Sequence, residues 1–567
     1  MFAGAALAFV ALVTTDSARS AVALAYHERT KHHLKGFAAG PETLDWDAQP
    51  SPFRRFKGAP VERLPLAADQ LSARWNELFL PGAIAAAPLN RSSLGALLEI
   101  SFAIAAWKSS GPDRWAVRCN PSSGNLHPTE VYLLVRGVAG LANGLYHYAV
   151  DEHALELRAA QKSVGAGPSA AQVLVGLSSI QWREAWKYGE RAFRYCQLDV
   201  GHALGALRYA AAALGWSARV AHERPTALVA EILGLNRAAD FSGVEAEEPE
   251  CLIELRAAGL PQTPDPELAT WLSGASWYGH ANRLDAYPMY RWPVIEEAAR
   301  ASSSEIAPVI SNGSAPRAAA AFELPAAPGA STSATLLLRQ RRSAQAFDRK
   351  ASQTQESFFR MAQALLRPSS APEDTWQLPP RVHPIFFVHR VDGLEPGAYA
   401  LLRNAPDQTA LQSLFATQSA WTKPSQCPDA IPLFQLVARD LSAALRTVCC
   451  GQELARACTF GVAFLAELEP AVAEDPASYR RLHQEAGLLG QILYLEAEVE
   501  GLRGTGIGCF FDDLCLELLG TSDRKLRPIY HFVVGVPVLD SRIQTEPAYP
   551  FHAAPPQLEH LEHERIA

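Results

Sequence analysis

The chain has 567 residues, 48% of them hydrophobic and 19% charged, with a formal net charge of -8. At roughly 150 residues per domain this length calls for several units rather than one core. The acidic balance excludes a nucleic-acid surface, which needs a basic stripe, and no apolar run reaches the ~20 residues of a membrane span.

The chain opens with MFAGAALAFVALVTTDSARSA. It has the apolar core and small residues of a secretory leader but lacks the positive n-region. It is read as a buried helix or as sequence downstream of an earlier start, and the protein as cytoplasmic. HERTKHH (His27 to His33) follows. A zinc-protease helix sets its second histidine four residues after the first, where Lys31 stands here, so no metal is assigned. Nine cysteines are scattered without a C-x-x-C spacing, Cys449, Cys450 and Cys458 lying closest together. They are read as reduced, mostly buried thiols.

Next comes RCNPSSGNLHPTE (Arg118 to Glu130), a run of small and polar residues that leads into the apolar VYLLV. VAGLANGLYHY (Val138 to Tyr148) then supplies a hairpin signal. WKYGERAFRY places Lys187 beside Tyr188. A lysine whose pKa is lowered by burial can act as a base, and an adjacent phenol can relay or orient a proton. The bland alternative is an exposed lysine next to a packed tyrosine. From Arg191 to Trp216 the Ala/Leu-rich pattern predicts a long helix, whose small residues permit close packing. His202 on its apolar face reads as a core histidine. CLIEL near Cys251 closes this half as a strand.

From Ile295 to Ser333 the sequence is rich in Ala, Ser and Pro and reads as a linker or loosely packed strap. LLLRQRRSAQAFD opens the second half, with Arg341, Arg342 and Ser343 placed at a predicted helix start. Guanidinium forks beside a hydroxyl suit a phosphate; the alternative is a solvated basic patch. HPIFFVHR and VDGLEPGAYAL (Val391 to Leu401) repeat Val, Gly, Leu, Gly and Tyr of the first hairpin at identical spacing. This is read as an internal duplication. A second long helix is predicted over Arg480 to Leu502. RGTGIGCFFDD (Arg503 to Asp513) reads as a glycine turn open to a flat ligand, or as a helix C-cap leading into a strand. YHFVVGVPV near Tyr530 is the closing strand. Helix and strand mix without βαβ alternation, which favours α+β.

YHERTKHH, RCNPSSGNLHPTE, GLYHY, WKYGERAFRYCQLDVGHALGAL, RRSAQAFD and GTGIGCFFDD together resemble the FMN-dependent nitroreductase superfamily, in its SagB/ThcOx-type dehydrogenase branch. The likeness spans about Tyr26 to Tyr549 in two copies. It implies two tandem domains, each a mostly antiparallel sheet flanked by helices, that form an intramolecular pseudo-dimer. The expected units are an apolar segment (1–25), a first domain (26–294), a linker (295–333), a second domain (334–549) and a tail (550–567).

The resemblance further implies FMN, one per chain. The first half would supply Arg118, Pro121, Ser122, Ser123 and Asn125. The second half would supply Arg341, Arg342, Ser343, Gln345, Gly504, Gly506, Ile507, Gly508, Cys509 and, late in the chain, Arg542. Gln345 departs from the family, which usually has Arg or Lys there. PPRVHP (Pro379 to Pro384) replaces the PSSGN segment in the second half. LPLAADQLSARW and LGWSARVAHERP replace the arginine and glycine segments in the first. Each half keeps what the other lacks, so one composite site is expected. Lys187 and Tyr188 match the Lys-Tyr pair of azoline oxidases.

The implied activity is dehydrogenation of a small heterocyclic or peptide-derived substrate, such as an azoline to an azole, with oxygen or NAD(P)H as redox partner. The alternatives are an NAD(P)H-dependent reductase of nitro compounds, quinones or enones, and a flavin-free subunit of a peptide-modifying complex. No nucleic-acid or membrane partner is expected, and the internal pseudo-dimer would allow a functional monomer.

Overall fold

The computed structural model describes residues 15–160, 171–257, 272, 274–305, 324–403, 421–521 and 525–550. In the first half the strands are β1 (Ile104–Ser110), β2 (Asp113–Arg118), β3 (Thr129–Arg136), β4 (Gly144–Ala149), β5 (Ala154–Ala160), β6 (Gln172–Ser179), β7 (Ser217–Val220) and β8 (Glu248–Arg256). In the second they are β9 (Val382–Val388), β10 (Gly397–Leu401), β11 (Leu433–Ala438), β12 (Phe460–Ala466), β13 (Arg503–Ile507), β14 (Arg527–Gly535) and β15 (Gln544–Glu546). Apolar runs such as β3 and β9 are buried on both faces, as central strands covered on two sides must be.

The first sheet runs β5-β4-β3-β6-β8-β7 through its middle, and two short strands add to β5. The second runs β11-β10-β9-β12-β14-β13. The order is the same in both, with the repeated hairpin as β3-β4 in one sheet and β9-β10 in the other. Every ladder in both sheets is antiparallel.

The helices that matter here are α1 (Asp16–Arg29), α2 (Gln181–Tyr188), α3 (Ala192–Ala213), α4 (Pro293–Ala301), α5 (Ala334–Gln340), α6 (Ser478–Val499) and α7 (Asp512–Leu518). The two long helices, α3 and α6, each precede the edge strand of their own sheet. They pack on each other at glycines: a Cβ on Gly201 would lie 2.0 Å from the Gln484 carbonyl oxygen, and one on Gly487 2.1 Å from that of Leu198. Only backbone without side chains permits so close a crossing. All of α3 is buried as a result.

Several expectations change. The boundary set at Tyr26 falls inside α1, and that at Ile295 inside α4, whose Ala301 carbonyl accepts from Arg19 Nε at 3.2 Å. The start of the apolar segment (1–14), the middle of the strap (306–323) and the tail beyond 550 lie outside the described residues. The end of the strap is tightly held, because Trp75 and Asn76 amides donate to the Thr332 and Ala330 carbonyls, both at 3.0 Å. Arg341 to Ser343 follow α5 rather than start a helix. Of the two readings for Arg503 to Ile507, the helix end leading into a strand holds and the open turn does not, because the ladder with β14 engages the whole segment. Finally, β15 leaves the second half and pairs with β1 of the first, Thr545 opposite Lys108.

Candidate active site

The segment after β2 is wound tightly. Gly124, Asn125 and His127 all have positive φ (58°, 60° and 55°). Two of these are not glycine, and local bonds hold them there. Asn125 Nδ2 donates to the Ala116 carbonyl at 2.9 Å, His127 Nε2 meets Asn125 Oδ1 at 3.0 Å, and the His127 amide donates to Ser122 Oγ at 2.8 Å. The Ser123 amide and hydroxyl both donate to Asp199 Oδ1 of α3, at 3.0 and 2.9 Å. Burial pushes the Asp199 carboxyl up to about 7, against hydrogen bonds from Ser122 and Ser123 that lower it. Both serines are therefore engaged within the first half.

Tyr188 ends α2, and its phenol lies over this segment: a Cβ on Gly124 would be 2.5 Å from the Tyr188 hydroxyl. The Tyr188 ring is 4.6 Å from that of Tyr195, which covers Gly508, where a Cβ would be 2.0 Å from the ring. The PSSGN segment, the Lys-Tyr pair and the glycine strand of the other half thus form one continuous stack. Lys187 is half-buried, with Nζ 5.3 Å from the ring centroids of Trp46 and Tyr188. Desolvation lowers its pKa, while neighbouring Glu184 raises it. Glu184 is fully buried with neither carboxylate oxygen hydrogen-bonded. Burial, reinforced by Asp199, drives its pKa well above the ordinary carboxylate range.

On the other side of the stack Arg341 is buried and spans the two halves. Its Nε donates to the Cys119 carbonyl at 3.1 Å and its Nη2 to the Arg118 carbonyl at 3.2 Å, leaving Nη1 buried without a partner. Arg342, Arg503 and Lys108 gather beside it. Burial and then Arg341 lower Arg342 to about 10, and burial followed by Arg342 and Arg503 lowers Lys108. Glu498 faces this group, accepting from the Arg342 amide at 3.1 Å and lying 3.6 Å from Arg503, and burial raises its own pKa. Four cations thus gather around one carboxylate, giving this end of the stack a local excess of positive charge.

The glycines of β13 let large rings approach. A Cβ on Gly504 would be 2.5 Å from Phe532, and one on Gly506 would be 1.8 Å from the Tyr530 hydroxyl. Tyr494 from α6 accepts from the Gly506 amide at 3.1 Å and bonds Ser343 Oγ at 2.8 Å, joining the arginine segment to the glycine strand.

Not every expected residue joins this arrangement. The Arg118 guanidinium turns away to the Pro52 carbonyl at 2.5 Å; only its own carbonyl meets Arg341. Pro121 is buried at the head of the segment. Ile507 packs in the second half's core with Phe510 and Cys515. Gln345 is exposed. Arg542 pairs with Asp540 at 2.7 Å and its side chain is 83% exposed, so it does not reach the cation group. Arg503 and Lys108 stand there instead. Arg503 lay inside the RGTGIG segment, whereas Lys108 carried no sequence signal, since pairing of β15 with β1 sets its surroundings. Asp199 and Glu184 were equally hidden. His202 is a bonded core histidine, 2.9 Å from the Tyr530 hydroxyl, and burial lowers its pKa to about 3.

A family model described as the Nitroreductase family matches residues 87–244. This stretch is similar to the nitroreductase family, whose members are oxidoreductases that typically bind flavin. The chain is 31% identical over 105 residues to a Methanocaldococcus jannaschii protein assigned as a nitroreductase, covering 17% of this chain and 52% of that one. It is 31% identical over 130 residues to the trifolitoxin-processing protein TfxB of Rhizobium leguminosarum bv. trifolii, covering 20% and 35%. The chain thus spans about a third to a half of the length of these curated relatives. A solved structure from Anabaena variabilis, assigned as a nitroreductase, matches with a TM-score of 0.60 and 21% identity over 91% of this chain and 99% of its own. That likeness shows a shared fold across both halves. Among the described residues no group of three or more candidate ligands could hold a metal, and no helix is long and apolar enough to cross a membrane.

Proposed function

We propose that this chain is an FMN-dependent oxidoreductase that dehydrogenates a small heterocyclic or peptide-derived substrate, such as an azoline to an azole. One FMN would lie where the two halves meet, and the halves would take the place of two subunits. The observation that carries this reading is the Arg341 bridge, which brings the arginine group of one half to the base of the PSSGN segment of the other.

The residues fit the group. The orphaned Arg341 Nη1, with Arg342, Arg503 and Lys108, suits a phosphate dianion, and the stack from Gly124 to Gly508 suits a flat ring system. Bound FMN would supply two-electron redox chemistry that no side chain offers. Lys187 would hold or take a proton from substrate; desolvation favours its neutral form against the opposing effect of Glu184. Tyr188 would position the ring it faces. The matching strand orders and the α3–α6 crossing support the internal pseudo-dimer. Similarity to a trifolitoxin-processing protein supports a peptide-derived substrate.

The test is the visible spectrum of the purified protein, followed by oxygen uptake with a thiazoline- or oxazoline-containing peptide. Flavin bands and azoline-dependent oxygen consumption are expected. A protein that stays colourless after incubation with FMN would overturn the cofactor. NADPH consumption with a nitroarene or quinone, without azoline turnover, would replace the substrate class.

A further inference from the structure

Two of the nine thiols are half-exposed, Cys450 and Cys509, and the other seven are buried. They are 59 positions apart in sequence and come together through the backbone. The Phe511 amide donates to the Val448 carbonyl at 2.7 Å, and Gln452 Nε2 donates to the Cys509 carbonyl at 3.2 Å. These links clamp 448–452 against 509–511 and bring the two cysteines close enough for each thiol to perturb the other. Cys450 has a φ of +54° and is followed by Gly451 at +77°. A second glycine would suit that position better, so a side chain is held there at a cost in backbone strain.

A third group completes the cluster. His32, 8% exposed, accepts the Ala38 amide on Nδ1 at 3.0 Å, which fixes the ring proton on Nε2. The His32–Phe511 bridge holds its backbone in place, and the ring is near enough to Cys509 to favour the thiolate. Arg191 donates to the Gly508 carbonyl from Nε and Nη2, at 3.3 and 3.1 Å, bringing its charge close to the sulfur. The other ionisable groups around Cys509 are Tyr188 and Tyr195 from α2 and α3, Cys449 from the turn, and Asp512 of α7, which Arg191 and Arg194 neutralise at 3.1 and 2.7 Å.

We propose that Cys450 and Cys509 form a reversible oxidative modification site for hydroperoxides, with Cys509 as the attacking thiolate and Cys450 as the resolving thiol. In the first step the Cys509 sulfur takes one oxygen from hydrogen peroxide; the O–O bond breaks, a sulfenic acid forms and, with one proton, water leaves. In the second the Cys450 sulfur displaces that oxygen as a second water. The two thiols together lose two electrons and two protons, and the peroxide is reduced to water. The disulfide would tie the Cys449–Gln452 turn to the end of the glycine strand. The neighbouring Cys450 and His32 and the Arg191 charge support the assignment of roles, lowering the Cys509 thiol pKa against the opposing effect of burial. The inference does not depend on the flavin reading.

The test uses the reduced full-length chain treated with stoichiometric hydrogen peroxide, then alkylation and peptide mapping without reductant. A Cys450–Cys509 cross-link that dithiothreitol reverses is expected. In Cys450→Ser, dimedone should trap a sulfenic acid on Cys509. At pH 6, iodoacetamide should label Cys509 about tenfold faster than glutathione, the gain in thiolate fraction outweighing the lower nucleophilicity of a low-pKa sulfur. His32→Asn should reduce that advantage. If both thiols still alkylate fully after peroxide and Cys450→Ser yields no dimedone adduct, the proposal fails. Cys509 labelling no faster than glutathione would overturn the assignment of the attacking thiol.

Discussion

Arg341 donates to the Cys119 carbonyl at 3.1 Å, so a residue 222 positions later in the chain fixes the start of the PSSGN segment. One FMN per chain is therefore expected from released-flavin absorbance against protein mass; a ratio near two would mean a second site. Each charge-assisted hydrogen bond to a phosphate contributes about 1.5–3 kcal/mol, so Arg341→Ala and Arg503→Ala should each weaken FMN binding by roughly tenfold or more. Arg542→Ala should leave it unchanged, since that side chain faces solvent and Asp540. Flavin fluorescence titration distinguishes the three.

Lys187→Ala should keep its flavin and lose substrate-dependent flavin reduction by about 100-fold or more. In the parent protein the rate should rise with pH as Lys187 loses its proton, and level off below the ordinary lysine range, because desolvation lowers its pKa. Loss of flavin together with rate would make the lysine structural. Tyr188→Phe should lose less, with cofactor retained.

The raised pKa of Asp199 has a sign that can be checked. Folded, the carboxyl titrates at about 7; unfolded, near the ordinary ~3.9. Between these values the folded state holds a proton that the unfolded state releases, so this group costs stability as pH rises from about 4 to about 7, by at most roughly 4 kcal/mol. Asp199→Asn removes the titration. Urea unfolding of both proteins should show the variant gaining relative to the parent between pH 5 and pH 8. A constant difference would mean that Asp199 is charged throughout.

The α3–α6 crossing gives a purely steric prediction. Gly201→Ala places a methyl 2.0 Å from the Gln484 carbonyl oxygen, and the helices must separate. Overpacking of this kind costs about 1–3 kcal/mol, and Tm should fall accordingly. Gly36→Ala, with nothing within 4 Å and no positive φ, is the control and should leave Tm unchanged.

Features that are local or repeated were legible in the amino-acid order alone. Apolar runs gave the strands, the Val-Gly-Leu-Gly-Tyr spacing gave both hairpins, and the long Ala/Leu-rich stretches gave α3 and α6, because periodicity is set by each segment's own burial. The motifs also marked the segments that the site brings together: PSSGN, Lys187–Tyr188, the arginine pair and the glycine strand. How those segments are used depends on the packed chain. The Arg118 side chain turns to Pro52, Ile507 enters the core and Arg542 faces solvent, while Arg503 and Lys108 join Arg341 and Arg342. Asp199 and Glu184 acquire their altered proton affinities, and Cys450 reaches Cys509, only because distant segments pack together. The difference is one of range. Backbone preference and burial period act over a few residues, whereas the field at a charged group, and the partners it can reach, depend on chain segments tens to hundreds of positions away.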